Sequence, residues 1–319
     1  MNVKKKRTLS WIDIMLTLAS LEVMSYFYYG VRTLIMAGLC MAVSFVCDWV
    51  AVWFMKKKYV PDDLMSLADG LAIALMMPAS VDFRIPMISC AFAVLVGKNL
   101  FGGRKNIIFS PCAVGYLFAL TSWGNKILMY PSPDKKLEIN AENAVLSHSL
   151  SYYFNSAGNI SISDFDLLIG NFRGAMGTVS ILLLVISAFV LVFRKAVSAG
   201  AFTGVIAGIA FMAFIVPVSE SRSESLKYIM ATNMFLFSSV YIVSDKRVAP
   251  LNNYYAFFYG LFTAVTAYII ILTTAKENMI PAVSVIMTPV ALLFKSIQLK
   301  ADKYASEEKK VEINEKQNY

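Results

Sequence analysis

"TLIMAGLCMAVSFVCDWVAVWFM" fills residues 33–55, and Asp48 is the one charged side chain in it. Lys56, Lys57 and Lys58 follow at once. A helix needs about 20 mostly apolar residues to cross the hydrocarbon core of a bilayer. Lysines massed at the end of such a run mark a cytoplasmic boundary. The stretch therefore reads as a membrane span with its C-terminal end inside the cell.

The rest of the chain follows the same pattern. Of 319 residues, 58% are hydrophobic and 16% charged, and the mean hydropathy is +0.61. Soluble domains carry roughly 25% charged residues, so the composition is that of an integral membrane protein. The net charge of +8 does not point to nucleic acid, because the lysines and arginines lie in short loops and tails. The N-terminal "MNVKKKRTLSWIDIML" lacks a small-residue cleavage site and reads as a retained first helix.

Ten apolar segments are bounded by charge, Pro or Gly: 11–29, 33–55, 65–78, 85–100, 111–124, 174–193, 197–217, 226–244, 254–274 and 279–295. With both termini cytoplasmic, Lys56–Lys58, Arg104-Lys105, Arg194-Lys195, Lys246-Arg247 and the tail after Lys295 all fall inside. Arg32, Arg84 and Lys276 fall outside with the connections 125–173 and 218–227. This is the positive-inside bias. The predicted fold is an all-α polytopic membrane protein of about ten transmembrane helices. Five spans per half is an odd number, so the halves form an inverted repeat. The predicted division is 1–124, a first five-helix half; 125–170, an extracytoplasmic connection; 171–298, the second half; and 299–319, a charged cytoplasmic tail. "GGRKNIIFSPCAVGYLF" (102–118) and "SDKRVAPLNNYYAFF" (244–258) echo each other, each with a basic pair and then a proline.

Four carboxylates fall in or beside apolar segments: Asp13, Glu22, Asp48 and Asp69. Charge inside a membrane is costly, so such residues face a cavity, a partner or a hydrated interface. Glu22 and Asp69 are the candidates for an ion pathway, and Asp13 and Asp48 for hydrated interfacial positions. In "VGKNLFGGRKNIIFSP" (96–111), Lys98 with Gly102 and Gly103 predicts a phosphate cradle, since bare backbone beside positive charge binds anions. A positive-inside loop with turn glycines is the competing reading. Cys40, Cys47, Cys90 and Cys112 stand singly, without a CxxC pair, and read as packed core thiols. His148 is the sole histidine and makes no metal site by itself. No hydrolytic triad or zinc motif occurs, so no catalytic side chain is assigned.

In "GNFRGAMGTVSILLL" (170–184), three glycines and an arginine precede an apolar run. Gly170, Gly174 and Gly177 would bring backbone N–H groups at a helix start close to an anionic or flavin group, with Asn171, Arg173, Thr178 and Ser180 beside them. Close helix packing is the alternative use for such glycines.

With "DGLAIALMMP" (69–78), "GKNLFGG" and "NIIFSPCAVGYLF" (97–118), "GNFRGAMGTVSILLL" and "SDKRVAP" (244–250) in this order, the chain resembles a family. It is similar to RnfD, a membrane component of the Rnf electron-transport complex. RnfD is itself similar to NqrB, a component of the sodium-translocating NADH:quinone oxidoreductase. The resemblance implies ten helices in two inverted halves. It also implies other membrane subunits as partners in the inner (cytoplasmic) membrane, and electron relay coupled to Na+ or H+ transport. The chain would then be one part of an oxidoreductase complex and not an enzyme on its own. Members of the family carry FMN through a threonine in a Ser-Gly-Ala-Thr motif, and that motif is absent here. "LSHSLSYY" (146–153) lies near its place, with Leu150 at the threonine position; leucine has no oxygen for a phosphoester. Thr178 stands where the family has Glu, and Lys246 where it has Pro. Three readings stay open: FMN or riboflavin bound without a covalent link, attachment at Ser147, Ser149 or Ser151, or no flavin. A small-molecule or flavin transporter on the same scaffold is the alternative function, and a structural component without cofactor a third.

Overall fold

The computed structural model describes residues 10–301 apart from 134, 159, 161 and 220. The basic N-terminal run and most of the 299–319 tail lie outside the described residues, and with them the expected placement of both termini.

Each apolar segment folds as a helix, because only internal hydrogen bonding satisfies the backbone in lipid. The first half comprises α1 (Ser10–Tyr29), α2 (Val31–Phe54), α3 (Met65–Leu75), α4 (Arg84–Phe92) and α5 (Pro111–Ile127). The connection holds β1 (Tyr130–Pro131), β2 (Leu146–Ser147), α6 (Leu150–Ala157) and α7 (Asp164–Ile169). Tyr130 pairs with Ser147 and Pro131 with Leu146, antiparallel. The second half comprises α8 (Ile181–Phe193), α9 (Ala199–Ile215), α10 (Arg222–Ala231), α11 (Phe235–Ser238), α12 (Asn253–Thr274), α13 (Met279–Ile286) and α14 (Thr288–Ala301).

Among the described residues, α2 and α12 are each long and apolar enough to cross a membrane. The count becomes four when each bent pair is taken as one span: α10 with 235–243, bent by 63°, and α13 with α14, bent by 47°. The chain is a multi-pass helical membrane protein. Large apolar side chains such as Phe189, Phe193, Trp53 and Phe54 lie exposed on the helix surfaces, where lipid would cover them.

Helices α4 and α11 both continue as π-helical turns, Ala93–Asn99 and Ser239–Val243. Such turns are rare and recur at functional sites. Each leads directly into one of the two echoing stretches. Helices α9 and α12 approach backbone to backbone: a Cβ on Gly204 would lie 2.1 Å from the Phe257 carbonyl oxygen, and one on Gly200 2.2 Å from that of Asn253. Small residues every fourth position allow this approach in membrane helices.

The sequence places the sixth segment's start at 174, but α8 begins at Ile181. Residues 170–180 form a loop, and the N–H groups of Met176 and Gly177 in it are taken by the chain at the end of α3 and just after it.

Candidate functional site

Helix α3 ends at Leu75, and Met76, Met77, Ala79 and Val81 continue as buried non-helical chain. Buried backbone of this kind must find partners. Gly177 N donates to Leu75 O at 2.8 Å and Met176 N to Met77 O at 3.1 Å. From the other side, Arg32 Nε donates to Ala79 O at 2.7 Å and its terminal nitrogen to Val81 O at 2.6 Å. Two unwound stretches from different halves therefore lie backbone to backbone. A Cβ on Gly177 would sit 2.6 Å from Leu75 Cβ. Gly170 has φ +95°, ends α7, and faces the Val179 carbonyl carbon at 2.7 Å from where its Cβ would stand. A Cβ on Gly174 would meet Val179 Cγ1 at 2.6 Å. Protein fills the space beside these glycines. Thr178 Oγ1 donates to Ala175 O at 3.1 Å, and Ser180 O accepts Leu184 N at 3.1 Å as α8 begins.

The outer edge of this loop forms a groove with the connection. Leu150 N donates to Arg173 O at 3.1 Å, which seats the start of α6 against the 171–173 stretch. Ser132, Pro133, His148, Leu150, Tyr153, Asn171, Phe172 and Arg173 line an open groove of about 310 Å³. His148 stacks on Tyr152 with ring centroids 4.0 Å apart. Arg173 Nε is buried without a hydrogen-bond partner among the described residues. Asn171 Nδ2 donates to Asp166 Oδ1 at 3.1 Å. Hydrogen bonds from Ser163 first and Asn171 second hold the Asp166 carboxyl below the usual carboxylate range.

The same short segment has an inner face. Ser149 is 2% exposed, accepts Tyr152 N at 3.0 Å and donates to Glu277 Oε2. Ser151 Oγ accepts Asn233 N at 2.8 Å. Both hydroxyls are committed inward, away from the groove. Ser147 Oγ shares a hydrogen bond with Tyr153 OH at 3.4 Å.

Two buried ion clusters grip α3. Lys98 is 2% exposed; its Nζ donates to Asp48 Oδ2 and to Ser66 Oγ, each at 2.8 Å, with Asp63 Oδ1 at 3.7 Å. Asn99 Nδ2 adds a bond to Asp48 Oδ1 at 2.9 Å. Asp48 is fully buried in this cluster, not hydrated at an interface as its position in the sequence suggested. Asp69, three residues beyond Ser66 on α3, takes Arg247 in a two-pronged pair at 2.7 and 2.6 Å. Arg247 also holds Asp245 at 2.8 Å, and Cys112 Sγ donates to Asp69 Oδ1 at 3.2 Å. Glu22 is 5% exposed, and among the described residues neither carboxylate oxygen has a hydrogen bond within 3.5 Å. The Thr33 side chain faces it, but Thr33 Oγ1 donates to Gly30 O at 3.1 Å.

The candidate residues thus fall into two places. Gly170, Asn171, Arg173, Gly174, Gly177, Thr178 and Ser180 gather with Leu150 at one end of the bundle. Lys98, Gly102 and Gly103 gather at the other, where Lys57 Nζ donates to Gly102 O at 2.7 Å. Helix α2 separates the two ends by about 36 Å at 1.5 Å per residue over its 24 residues. Sequence reasoning missed Arg247 as a partner of Asp69, Asp63 beside Lys98, and Glu277.

Broken helices that meet at depth, a fold cross-linked by buried ion pairs, and an amphipathic groove at one end define a multi-pass helical membrane protein with a ligand-sized surface site. The chain belongs to the NQR2, RnfD, RnfE family, whose model matches residues 2–291. It is 22% identical to the D-type component of the ion-translocating oxidoreductase complex of Pseudomonas paraeruginosa over 263 residues, 76% of each chain. Identity to the corresponding component from Ectopseudomonas mendocina is also 22%, over 82% of this chain and 77% of the relative. A shorter match to the Shewanella sediminis component reaches 28% identity, over 44% of this chain and 40% of that relative's length.

Proposed function

We propose that this protein is an integral part of a Rnf-type, ion-translocating electron-transport complex of the cytoplasmic membrane, with a flavin held without a covalent bond in the groove. The Leu150–Arg173 backbone bond carries the reading, because it sets the 148–153 and 171–173 stretches on two sides of one cleft. The cleft suits a planar, aromatic, anionic ligand. His148, Tyr153 and Phe172 offer ring faces and edges. Arg173 lines the cleft and brings a positive charge to it for a phosphate. A volume of about 310 Å³ lies at the small end of ligand pockets, roughly 300–1,000 Å³. Leu150 has no oxygen for a phosphoester, Ser149 and Ser151 are turned inward and bonded, and of the three serines only Ser147, hydrogen-bonded to Tyr153 OH, stays on the outer side.

A flavin supplies electron uptake and release when bound. The chain's own part is to orient the ring, neutralise the phosphate and exclude water from one face. Glu22 is our candidate for a step of the coupled Na+ or H+ path, since it is buried in the bundle and its carboxylate oxygens have no hydrogen-bond partner among the described residues. Asp69 already has its counter-charge in Arg247 and serves as a clamp in this reading. The paired π turns before the two echoing stretches support an inverted ten-span arrangement.

Purification of the intact complex tests this. Flavin is expected in the supernatant after denaturation, with no fluorescent band for this chain on a gel under ultraviolet light. A fluorescent band, or a complex without other redox proteins, would overturn it. Uptake of labelled riboflavin into vesicles holding this chain alone would favour a transporter instead.

A further inference from the structure

Glu277 lies in the 275–278 hairpin between α12 and α13, outside the helices on either side, and is only 3% exposed. Among the described residues no lysine, arginine or histidine nitrogen stands within 4.0 Å of its carboxylate. Its hydrogen bond comes from Ser149, on the inner face of the groove wall. Around it, Asn155 and Asn233 exchange hydrogen bonds at 2.8 and 3.0 Å, Asn278 Nδ2 donates to Tyr130 OH at 3.0 Å, and Asn155 reaches Lys276 O at 3.4 Å. The groups facing the carboxyl that could carry charge are Tyr116 from α5 and Tyr130 from β1. Tyr29 lies beyond Tyr130, and the Lys276 side chain points out into solvent. A neutral phenol supplies no counter-charge.

The backbone here is strained. Of seven described non-glycine residues with positive φ, four flank this cluster: Asn233 at 56°, Met234 at 53°, Ala275 at 52° and Asn278 at 58°. Left-handed backbone at a non-glycine residue persists where its surroundings hold it, and it gathers at sites that switch or bind. A buried carboxyl without a cation is stable as the acid and unstable as the anion. Burial accordingly raises the Glu277 carboxyl from 4.5 to about 7, against the hydrogen bond from Ser149.

We propose that Glu277 is a proton-operated latch on the groove wall. With the carboxyl protonated, Ser149 and the 148–153 wall stay seated; with it ionised, water enters the cluster and the wall is released. An anionic planar ligand in the groove therefore binds the protonated protein more tightly, and its binding is accompanied by proton uptake in the range where the latch titrates. This last step rests on the groove being the ligand site; the latch itself does not.

The sign follows from linkage. The folded-state value lies above the ordinary one, so the closed state is fully favoured below about 4.5 and loses its advantage as pH rises through about 7. With an open-state value of 4.5 and a closed-state value of about 7, the open-to-closed ratio rises roughly 70-fold between about pH 5 and about pH 8.

Hydrogen exchange of the full-length protein in lipid nanodiscs, corrected for the intrinsic pH dependence, reads that ratio from peptides covering 146–157. We expect the rise in the native protein, a flat profile in Glu277→Gln, and raised exchange at every pH in Ser149→Ala. His148 lies on the groove side of the same wall, so the rise must persist in His148→Gln. FMN binding, followed by fluorescence quenching, should weaken along the same curve in the native protein and show a smaller pH dependence in Glu277→Gln. A native exchange profile as flat as that of Glu277→Gln overturns the latch whether or not FMN binds. Absence of FMN binding in every form removes the ligand reading, and the exchange data still decide the latch.

Discussion

Removing Arg247 should harm this protein far more than removing Asp69, although the two are partners. Arg247 sits between two carboxylates: Asp69 accepts at 2.7 and 2.6 Å, and Asp245 at 2.8 Å. Asp69→Asn leaves Arg247 paired with Asp245, two residues away. The loss is then that of a charge-assisted bond, about 1.5–3 kcal/mol. Arg247→Gln leaves two carboxylates in one buried cluster, with Asp69 1% exposed and Asp245 7%. Breaking a buried pair by removing one partner costs about 3–5 kcal/mol, and repulsion between the stranded acids adds to this. The double variant Asp69→Asn/Arg247→Gln removes one of them and should recover part of the loss. The assay is thermal stability of the purified full-length chain in one detergent, read by monodisperse recovery after heating. The expected order is native, then Asp69→Asn, then the double variant, then Arg247→Gln. If Arg247→Gln is no less stable than Asp69→Asn, the two-carboxylate account of this cluster is wrong.

Gly177→Ala should cost about 1–3 kcal/mol by overpacking, because its Cβ would stand 2.6 Å from Leu75 Cβ and 2.7 Å from Leu75 Cδ2. Leu75→Ala should not relieve it, since the nearer clash is with the Cβ that alanine keeps, whereas Leu75→Gly should; thermal stability of the three variants checks this. Lys98→Met strands Asp48 in the core and should lower the melting temperature sharply, while Arg173→Gln should leave stability nearly unchanged and weaken FMN binding in a fluorescence titration.

The helical segments were legible because lipid leaves the backbone no other solution, and apolar run length reports it. The α9–α12 contact went unread, although Gly200, Gly204 and Gly208 stand four apart and carry its signal. Partners were not legible. Lys98 looked like a free cation because its loop is rich in glycine and charge, yet its counter-ion, Asp48, is 50 residues away on α2. Asp69 looked like an open ion site because Arg247 is 178 residues distant. Hydropathy and spacing carry no register between helices, so they show that a buried charge needs a partner without showing which. Glu277 was harder still. Beside Lys276 in a hairpin it reads as a hydrated surface acid, and only the seating of α6 over it makes it buried. The glycines at 170–177 read as bare backbone for close approach; Gly177 admits Leu75, and Gly170 and Gly174 admit Val179 of their own loop.

Helix α3 explains why four separate stretches resemble the family together. "DGLAIALMMP" is α3 and its unwound end. "GKNLFGG" supplies Lys98 to its N-terminal turn, "SDKRVAP" supplies Arg247 to its middle, and "GNFRGAMG" supplies the N–H groups of Gly177 to Leu75, its last residue, and of Met176 to Met77 just beyond it. A helix of 11 residues rises only about 16 Å, so its ends and its acid lie inside the protein and must be satisfied there. The resembling stretches are the ones that satisfy it. What they specify is the frame of the bundle. The cofactor question falls to other residues, those at 148–150 and 171–173. There Leu150, Arg173 and the aromatic residues His148, Tyr153 and Phe172 line one groove. Residue 150 reaches the 171–173 stretch through its backbone N–H, a bond that survives any side chain except proline, and its side chain packs against the core.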